Sequence, residues 1–521
     1  MVYCGYTEIL MVVIFIIVLI LLIIFRFLFI LFLSRFEIIV ISLKIFSFRF
    51  YGDWEILVTV WNLLFLLIVL IIRGRVAIFS FSYINGVAVG NFILLYLRFI
   101  FRIIWLILNN NFYWMMLGWD GLGVVSFLLI IFYINHERIN NGLFTLFQNR
   151  IGDLFFVLFL VGLWELSIGT SLILKYGVLI LVLGGCVKRA QFPFNSWLLA
   201  AIRAPTPISS LVHSSTLVVA GVYVLLQFRY CLLDVLEVLK YISVLTLVIR
   251  RLGLLIEFDI KKLIAYSTLR HVSLIILILR IKLFKVVYFH LNIHAMFKST
   301  IFMCFGFVML SSYHRQDKRL VSLNNLNPLV KIIYYFSCLC LIGLPFLRGF
   351  FSKDFIIEKF IEVNSEFYLV VLLLLFLRIR VYYGIKLLSL TNVFFSYRIV
   401  EKSYLGLIRV VLIRCVMIFI VNIYISLMIR LGLEVLSFKI MIYFFILIFF
   451  LLSVITNINL KFNGYDKSKN FIEVWALDVY RLDKFIYWNI RLVIIYLNQL
   501  RNVKLFLLIN WWVLVFILVI F

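Results

Sequence analysis

The sequence predicts an all-α membrane protein: a polytopic helical bundle of about 14–16 transmembrane helices, with two inverted repeats and a C-terminal lateral helix. Three observations lead there. Hydrophobic residues fill 66% of the 521 positions, against roughly half in a soluble chain, and the mean hydropathy of +1.18 excludes a soluble fold. Apolar stretches able to cross a bilayer, about 20 residues each, recur from end to end. Only five prolines occur, so most of these stretches run without a built-in break, and the short alternating segments of a membrane barrel do not dominate.

In chain order the stretches cover roughly residues 7 to 33, 55 to 72, 92 to 108, 112 to 134, 154 to 165, 176 to 192, 208 to 228 and 239 to 256. They continue over roughly 262 to 283, 286 to 311, 331 to 350, 365 to 390, 406 to 432, 437 to 456 and 505 to 521. The division that follows is a set of N-terminal membrane helices (1–91), a core (92–435), one further span (436–456), a polar segment (457–504) and a last anchor (505–521). Within the polar segment Ile472, Trp475, Val479, Leu482 and Ile486 recur at helical spacing on one face, which reads as an amphipathic helix lying along the membrane. An ordinary interfacial helix carries the same pattern.

Composition also bounds the chemistry. Seven cysteines are scattered, with only Cys338 and Cys340 close together, and none has the spacing of a zinc or iron–sulfur site. Gly118, Gly121 and Gly123 sit in an apolar stretch, away from the strand–helix turn that a phosphate-cradling loop requires. No cofactor is expected on this chain. Glu8 and the absence of an Arg-rich leader lead to the expectation that no presequence is removed and that the chain is made in the compartment that uses it. Abundant Phe, Ile and Leu with little Pro are what an AT-rich organellar genome encodes. The formal charge of +26 would ordinarily suggest anionic lipid or nucleic acid; membrane lipid is the partner expected here, without nucleic acid.

A charge at the bilayer centre costs at least ~2.5 to 3.5 kcal/mol on insertion scales, so ionisable residues inside apolar helices are functional candidates. Asp120, in Gly118-Trp119-Asp120-Gly121, is flanked by small residues that let another helix approach; a water-capped Asp near a helix end is the alternative. Lys188 is followed by Gln191-Phe192-Pro193-Phe194. Pro193 removes a helix hydrogen bond and crowds residue 189, so the helix should open one turn after the lysine, and broken membrane helices persist only inside protein or beside a wet cavity. A lysine snorkelling to the interface is the competing reading. His290, His294 and Lys298 stand at i, i+4 and i+8, on one helix face, where imidazoles can relay protons. Polar packing is the alternative there, and a metal site lacks a third ligand at suitable spacing. Lys353 and Asp354 follow Gly343-Leu344-Pro345 and Gly349, a second broken helix before a lysine, which is the pattern of transporters built from inverted repeats. Between them, Thr206 is placed to cap a helix starting at Pro207. Ser209, Ser210, His213, Ser214, Ser215 and Thr216 add a polar stripe.

These pieces resemble the antiporter-like membrane subunits of respiratory complex I, the NADH:quinone oxidoreductase. The matching motifs are Gly118 to Gly123, Asn149-Arg150-Ile151-Gly152-Asp153, Lys188 to Trp197, Ala204 to Gly221, Asp259-Ile260-Lys261-Lys262, Tyr266-Ser267-Thr268, His290 to Lys298 and Leu344 to Asp354. They occur in family order over residues 112 to 360. The resemblance implies a proton-translocating core in which Asp120 is the membrane acid paired with Lys188, Lys298 is the central relay with His290 and His294, and Lys353 faces the exit half-channel. The family usually has Glu where this chain has Asp120, one methylene longer. NADH, FMN, iron–sulfur clusters and ubiquinone are then expected in partner subunits, with other membrane-arm subunits and lipids such as cardiolipin as neighbours. The implied location is the mitochondrial inner membrane. A cation/proton antiporter subunit of the related family is the alternative.

Arginines depart from the family pattern. Arg189, Arg203, Arg270 and Arg348 stand where the family has a small residue, usually serine, and Arg98, Arg102, Arg250 and Arg251 also interrupt apolar helices. Unpaired, the four motif positions would cost on the order of 10 to 14 kcal/mol, and 23 acidic residues face 49 basic ones. Some mitochondrial codes read AGA and AGG as serine, so translation with the wrong code is the expected origin; Arg150, which matches the family's own arginine, would remain. Tandem mass spectrometry of native peptides covering positions 189, 203, 270 and 348 is expected to find serine. Arginine at those positions would put extra cations beside the proposed proton path.

Overall fold

The computed structural model describes residues 38–43, 54–84, 88–165, 171–212, 217–229, 235–280, 282–312, 315–318, 321, 328–343, 356, 383–384 and 386–388. The chain divides into two compact units, Met1–Gly464 and Tyr465–Phe521, and all of these residues lie in the first. Expectations for Lys353, Asp354, His213, Arg348, the second broken helix and the C-terminal lateral helix fall outside the described residues.

Among the described residues a short antiparallel strand pair comes first, beside an otherwise helical chain. Strand β1 (Ile38–Leu43) pairs with β2 (Trp54–Thr59) in the register Ile38 with Thr59 through Leu43 with Trp54. The stretch read as one span over 55 to 72 therefore changes conformation at Thr59. Its first residues, Trp-Glu-Ile-Leu-Val-Thr, are rich in β-branched and aromatic types that favour strands. Thr59 then caps helix α1 (Val60–Tyr83), its hydroxyl accepting from the Asn62 amide at 3.1 Å; this is the ordinary N-cap device for an otherwise unsatisfied donor.

Helices follow in quick succession: α2 (Ala88–Leu108), α3 (Phe112–Ile131), α4 (His136–Glu165), α5 (Ser171–Lys188), the short α6 (Ser196–Ala201) and α7 (Thr206–Leu211), and α8 (Leu217–Gln227). Beyond them lie α9 (Leu236–Ile256), α10 (Ile260–Arg280), α11 (Phe284–Ser311) and α12 (Pro328–Ile342). Six helices among the described residues are long and apolar enough to cross a membrane, at Trp61–Ser80, Gly90–Leu108, Phe112–Ile131, His136–Gly162, Ile260–Arg280 and Val286–Ser311. Helices α10 and α11 are buried over almost their whole length, whereas α2, α3 and α4 keep an apolar face open, with Phe101, Leu154 and Leu158 exposed on it.

Helix α4 is longer than its apolar run. Hydropathy marks a span only from 154, yet the helix starts at His136, because the polar residues Asn141, Thr145, Gln148 and Asn149 are turned inward and buried. Periodicity in a polar stretch carries no hydrophobic signal even when that face is the core. The expected cap at Thr206 is also different: the helix begins with Thr206 itself, makes no side-chain cap, and has Pro207 within its first turn. Ser209 and Ser210 donate back to the carbonyls of Thr206 and Pro207 at 3.0 and 2.7 Å, so these two hydroxyls close on their own helix.

Close approach between helices α4 and α5 depends on glycine. A Cβ at Gly152 would lie 3.0 Å from Val187, and one at Gly184 would lie 3.2 Å from the Gly152 carbonyl. Leucine at 152 is expected to cost about 1–3 kcal/mol as an overpacking change, lowering the thermal midpoint of the detergent-solubilised assembly. Alanine at Gly162, where a Cβ meets nothing within 4 Å, is expected to leave that midpoint unchanged.

Candidate functional site

Helix α5 stops at Lys188 rather than one turn later. Ala190 adopts the left-handed conformation with φ 53°, the Gln191 amide donates to the Cys186 carbonyl at 3.0 Å, and the Ala190 amide donates to the Val187 carbonyl at 3.0 Å. This pair of bonds is the Schellman ending that satisfies terminal carbonyls, with alanine where glycine is usual. Trp197 Nε1 adds a bond to the Val187 carbonyl at 2.8 Å, and Thr246 Oγ1 ties Gln191 Oε1 at 2.8 Å. The break is thereby built into the protein, and Lys188 sits at the helix C-terminus, where the helix dipole favours a cation.

Lys188 does not meet Asp120. Its Nζ lies 3.3 Å from Asp153 Oδ1, donates to the Trp119 carbonyl at 3.0 Å, and lies 4.8 Å from the Trp119 ring centroid. Trp119 Nε1 also donates to Asp153 Oδ1, at 3.1 Å. Asp120, one residue further along α3, points about 100° around the helix and accepts from Arg150 Nη1. The short aspartate side chain goes to the guanidinium that faces it. Arg150 is also 3.6 Å from Asp153 Oδ2, three residues on along α4.

The four charges form one line with graded access. Side-chain exposure falls from 43% at Arg150 and 25% at Asp120 to 10% at Asp153 and 2% at Lys188. Asp153 belongs to the Asn149–Asp153 motif without a role there; the signal that finds it is its spacing of three from Arg150, which puts both on one face of a helix. The glycines of Gly118-Trp119-Asp120-Gly121 do admit a neighbour: Cβ atoms at Gly118 and Gly121 would meet the backbone and side chain of Arg102 on α2.

A second centre lies between α10 and α11. Lys298, fully buried, donates to Ser267 Oγ, which also accepts from Tyr383 at 2.9 Å. His290 and His294 lie two turns and one turn before Lys298 on the same helix, both buried. A third histidine, His271 on α10, joins them with ring centroids 5.8 Å from His290 and 5.2 Å from His294. Nearby on α10, Lys261 donates to the Ala204 carbonyl at 3.1 Å, at the gap between α6 and α7.

The flagged arginines divide by burial. Arg189 and Arg270 are 0% and 2% exposed, whereas Arg203 is exposed and pairs with Glu137 at 3.0 Å. Arg189 turns its Nε onto the Gly185 carbonyl at 2.8 Å. The contrast between the two aspartates gives a direct test. Asp153→Asn removes the carboxylate from a buried ion pair, a loss of about 3–5 kcal/mol, while Asp120→Asn touches a part-exposed pair worth about 0–1 kcal/mol. Thermal unfolding of the two variants is expected to order them that way; a larger loss for Asp120→Asn would reverse the assignment of the partner of Lys188.

Comparison with known proteins follows the same lines. A family model described as NADH:quinone oxidoreductase/Mrp antiporter, transmembrane, matches residues 109–377. NADH-ubiquinone oxidoreductase chain 5 of Anopheles arabiensis is 36% identical over 338 residues, 61% of this chain and 86% of that one. The Locusta migratoria chain 5 is 37% identical over 314 residues, 57% of this chain and 54% of its own. The matched region thus spans little more than half of that relative. A chain of the membrane-bound sulfane sulfur reductase, an archaeal respiratory membrane complex, superposes with a TM-score of 0.69 at 20% identity, covering 79% of this chain and 88% of that one. A chain of the Mrp complex from a Dietzia species gives 0.62 at 18% identity, covering 86% and 57%. The last two likenesses establish the fold, and with the family match over the helices that hold both lysine centres, the chain belongs to the NADH:quinone oxidoreductase/Mrp antiporter membrane family.

Proposed function

We propose that this chain is a proton-translocating membrane subunit of NADH:ubiquinone oxidoreductase, respiratory complex I, driven by electron transfer in other subunits. The observation that carries the reading is Lys188, a lysine sealed from solvent at the end of a broken membrane helix and held by one carboxylate and one carbonyl. A structural cation has no need of an adjacent, more exposed acid–base pair. Here Arg150 and Asp120 supply one, in line with Asp153. When charge arriving at the Asp120 end draws Asp153 toward Arg150, Lys188 loses its counter-charge and releases its proton inward. Relaxation of Asp153 restores the pair. Lys298, with Ser267, Tyr383 and the histidines, is the receiving centre in this reading, to which the family resemblance adds His213, Lys353 and Asp354 as relay residues.

The names of the relatives support complex I membership, and with it a place in the mitochondrial inner membrane and a mitochondrial gene. NADH, FMN, iron–sulfur clusters and ubiquinone are assigned to partner subunits and none to this chain. Its partners are other membrane-arm subunits and lipids, cardiolipin among them.

Replacing Lys188 or Lys298 by alanine in the assembled complex is expected to lower proton translocation in vesicles by roughly 10²-fold, the scale lost with a positioned proton-transfer group. Parent-like pumping in both variants would leave the chain a scaffold. On a native gel the chain is expected to migrate with NADH dehydrogenase activity; migration apart from that activity would favour the antiporter reading.

A further inference from the structure

We propose that His271 is a third relay imidazole, handing protons between His290 and His294; this rests on the proton-translocating reading above. Helices α10 and α11 pack together, and their facing residues interleave. Ser267 on α10 bonds Lys298 on α11. One turn further along α10, at i+4 on the same face, His271 reaches both histidines of α11, with interplanar angles of 45° to His290 and 43° to His294. The three rings are 1%, 1% and 3% exposed, out of contact with bulk water that would otherwise exchange their protons.

His290 and His294 are four residues apart, about 6 Å along the helix axis. His271 faces both across the helix interface, with centroid separations of 5.8 and 5.2 Å that a single bridging water can span. A neutral imidazole accepts a proton on one nitrogen and releases the other from its second nitrogen. The proton taken from one neighbour is thereby balanced by the proton given to the next, with no change in net charge and no co-reactant. Glutamine also offers a donor and an acceptor but cannot take up one proton while giving up another.

The test uses the assembled complex in sealed vesicles, supplied with NADH and a short-chain ubiquinone, with proton uptake read by a pH-sensitive dye and assembly by native-gel migration. His271→Gln and His271→Phe are each expected to lower proton translocation about tenfold or more without altering migration. Added imidazole is expected to restore it in His271→Ala, and added pyrrole, which does not titrate there, is expected not to. Parent-like pumping by His271→Gln would overturn the proposal and leave His271 a hydrogen-bonding residue. Equal rescue by pyrrole would overturn it in favour of packing. Lys298→Ala separates the two levels: if that variant also pumps at the parent rate, the proton-translocating reading fails, whereas its loss beside an unaffected His271→Gln removes only the relay role of His271.

Discussion

Carboxylate is scarce where cation is plentiful, and the described interior is organised around that shortage. Ten lysine and arginine side chains are buried, against a single buried acid, Asp153. Each such cation costs several kcal/mol unless it finds compensation. Compensation comes instead from carbonyls and aromatic faces. Lys386 donates to the carbonyls of Leu254 and Glu257 at 3.0 and 2.8 Å, Lys261 to Ala204, and Arg189 to Gly185. Arg73 lies 5.5 Å from the Phe99 ring centroid, and Arg250 lies 5.3 Å from that of Tyr266. Carbonyls near helix ends keep acceptor capacity that the helix ladder does not use up, so helix breaks and buried cations occur together.

Lys188 stands apart in this company because it holds the one buried carboxylate. A carbonyl or a ring face solvates an ammonium but cannot take its proton; a carboxylate shared with a second cation can weaken its hold by moving. Asp153 is placed between Lys188 and Arg150 in that way. At the second centre no carboxylate is recorded beside Lys298 among the described contacts. The Ser267 hydroxyl and the Tyr383 ring meet it instead, and the histidine cluster sits on the same two helices, groups that pass protons rather than fix charge. The two lysines thus differ in chemistry although the sequence presents them alike.

Much of this was legible in the sequence. Long apolar runs give α3, α10 and α11 nearly to their ends, and Pro193 gives the break after Lys188, since both signals are local. Less legible was whatever depends on which way a polar helix face turns. The first half of α4 has no apolar period because its buried side is lined with Asn, Thr and Gln. Asp153 rather than Asp120 meets Lys188 because adjacent residues on α3 diverge by a quarter turn, a geometry set by where α4 packs. His271 lies far in sequence from His290 and His294, and only the pairing of α10 with α11 brings the rings together. Thr59 begins a helix inside what reads as one apolar span, since strand and helix share the same hydrophobic residues at a junction.

The quartet of Asp120, Arg150, Asp153 and Lys188 has a bearing on how such a chain enters a bilayer. Its members come from three consecutive helices, α3, α4 and α5, and their two negative and two positive charges cancel. As soon as α5 leaves the ribosome, every charge in the group has a partner within the segment already made. Insertion of this part of the protein therefore requires no later helix and no neighbouring subunit to neutralise it. The buried lysines of α10 and α11 enter on different terms: Lys261 holds the Ala204 carbonyl and Lys298 the Ser267 hydroxyl, so their charge is carried into the bilayer solvated by neutral groups rather than cancelled.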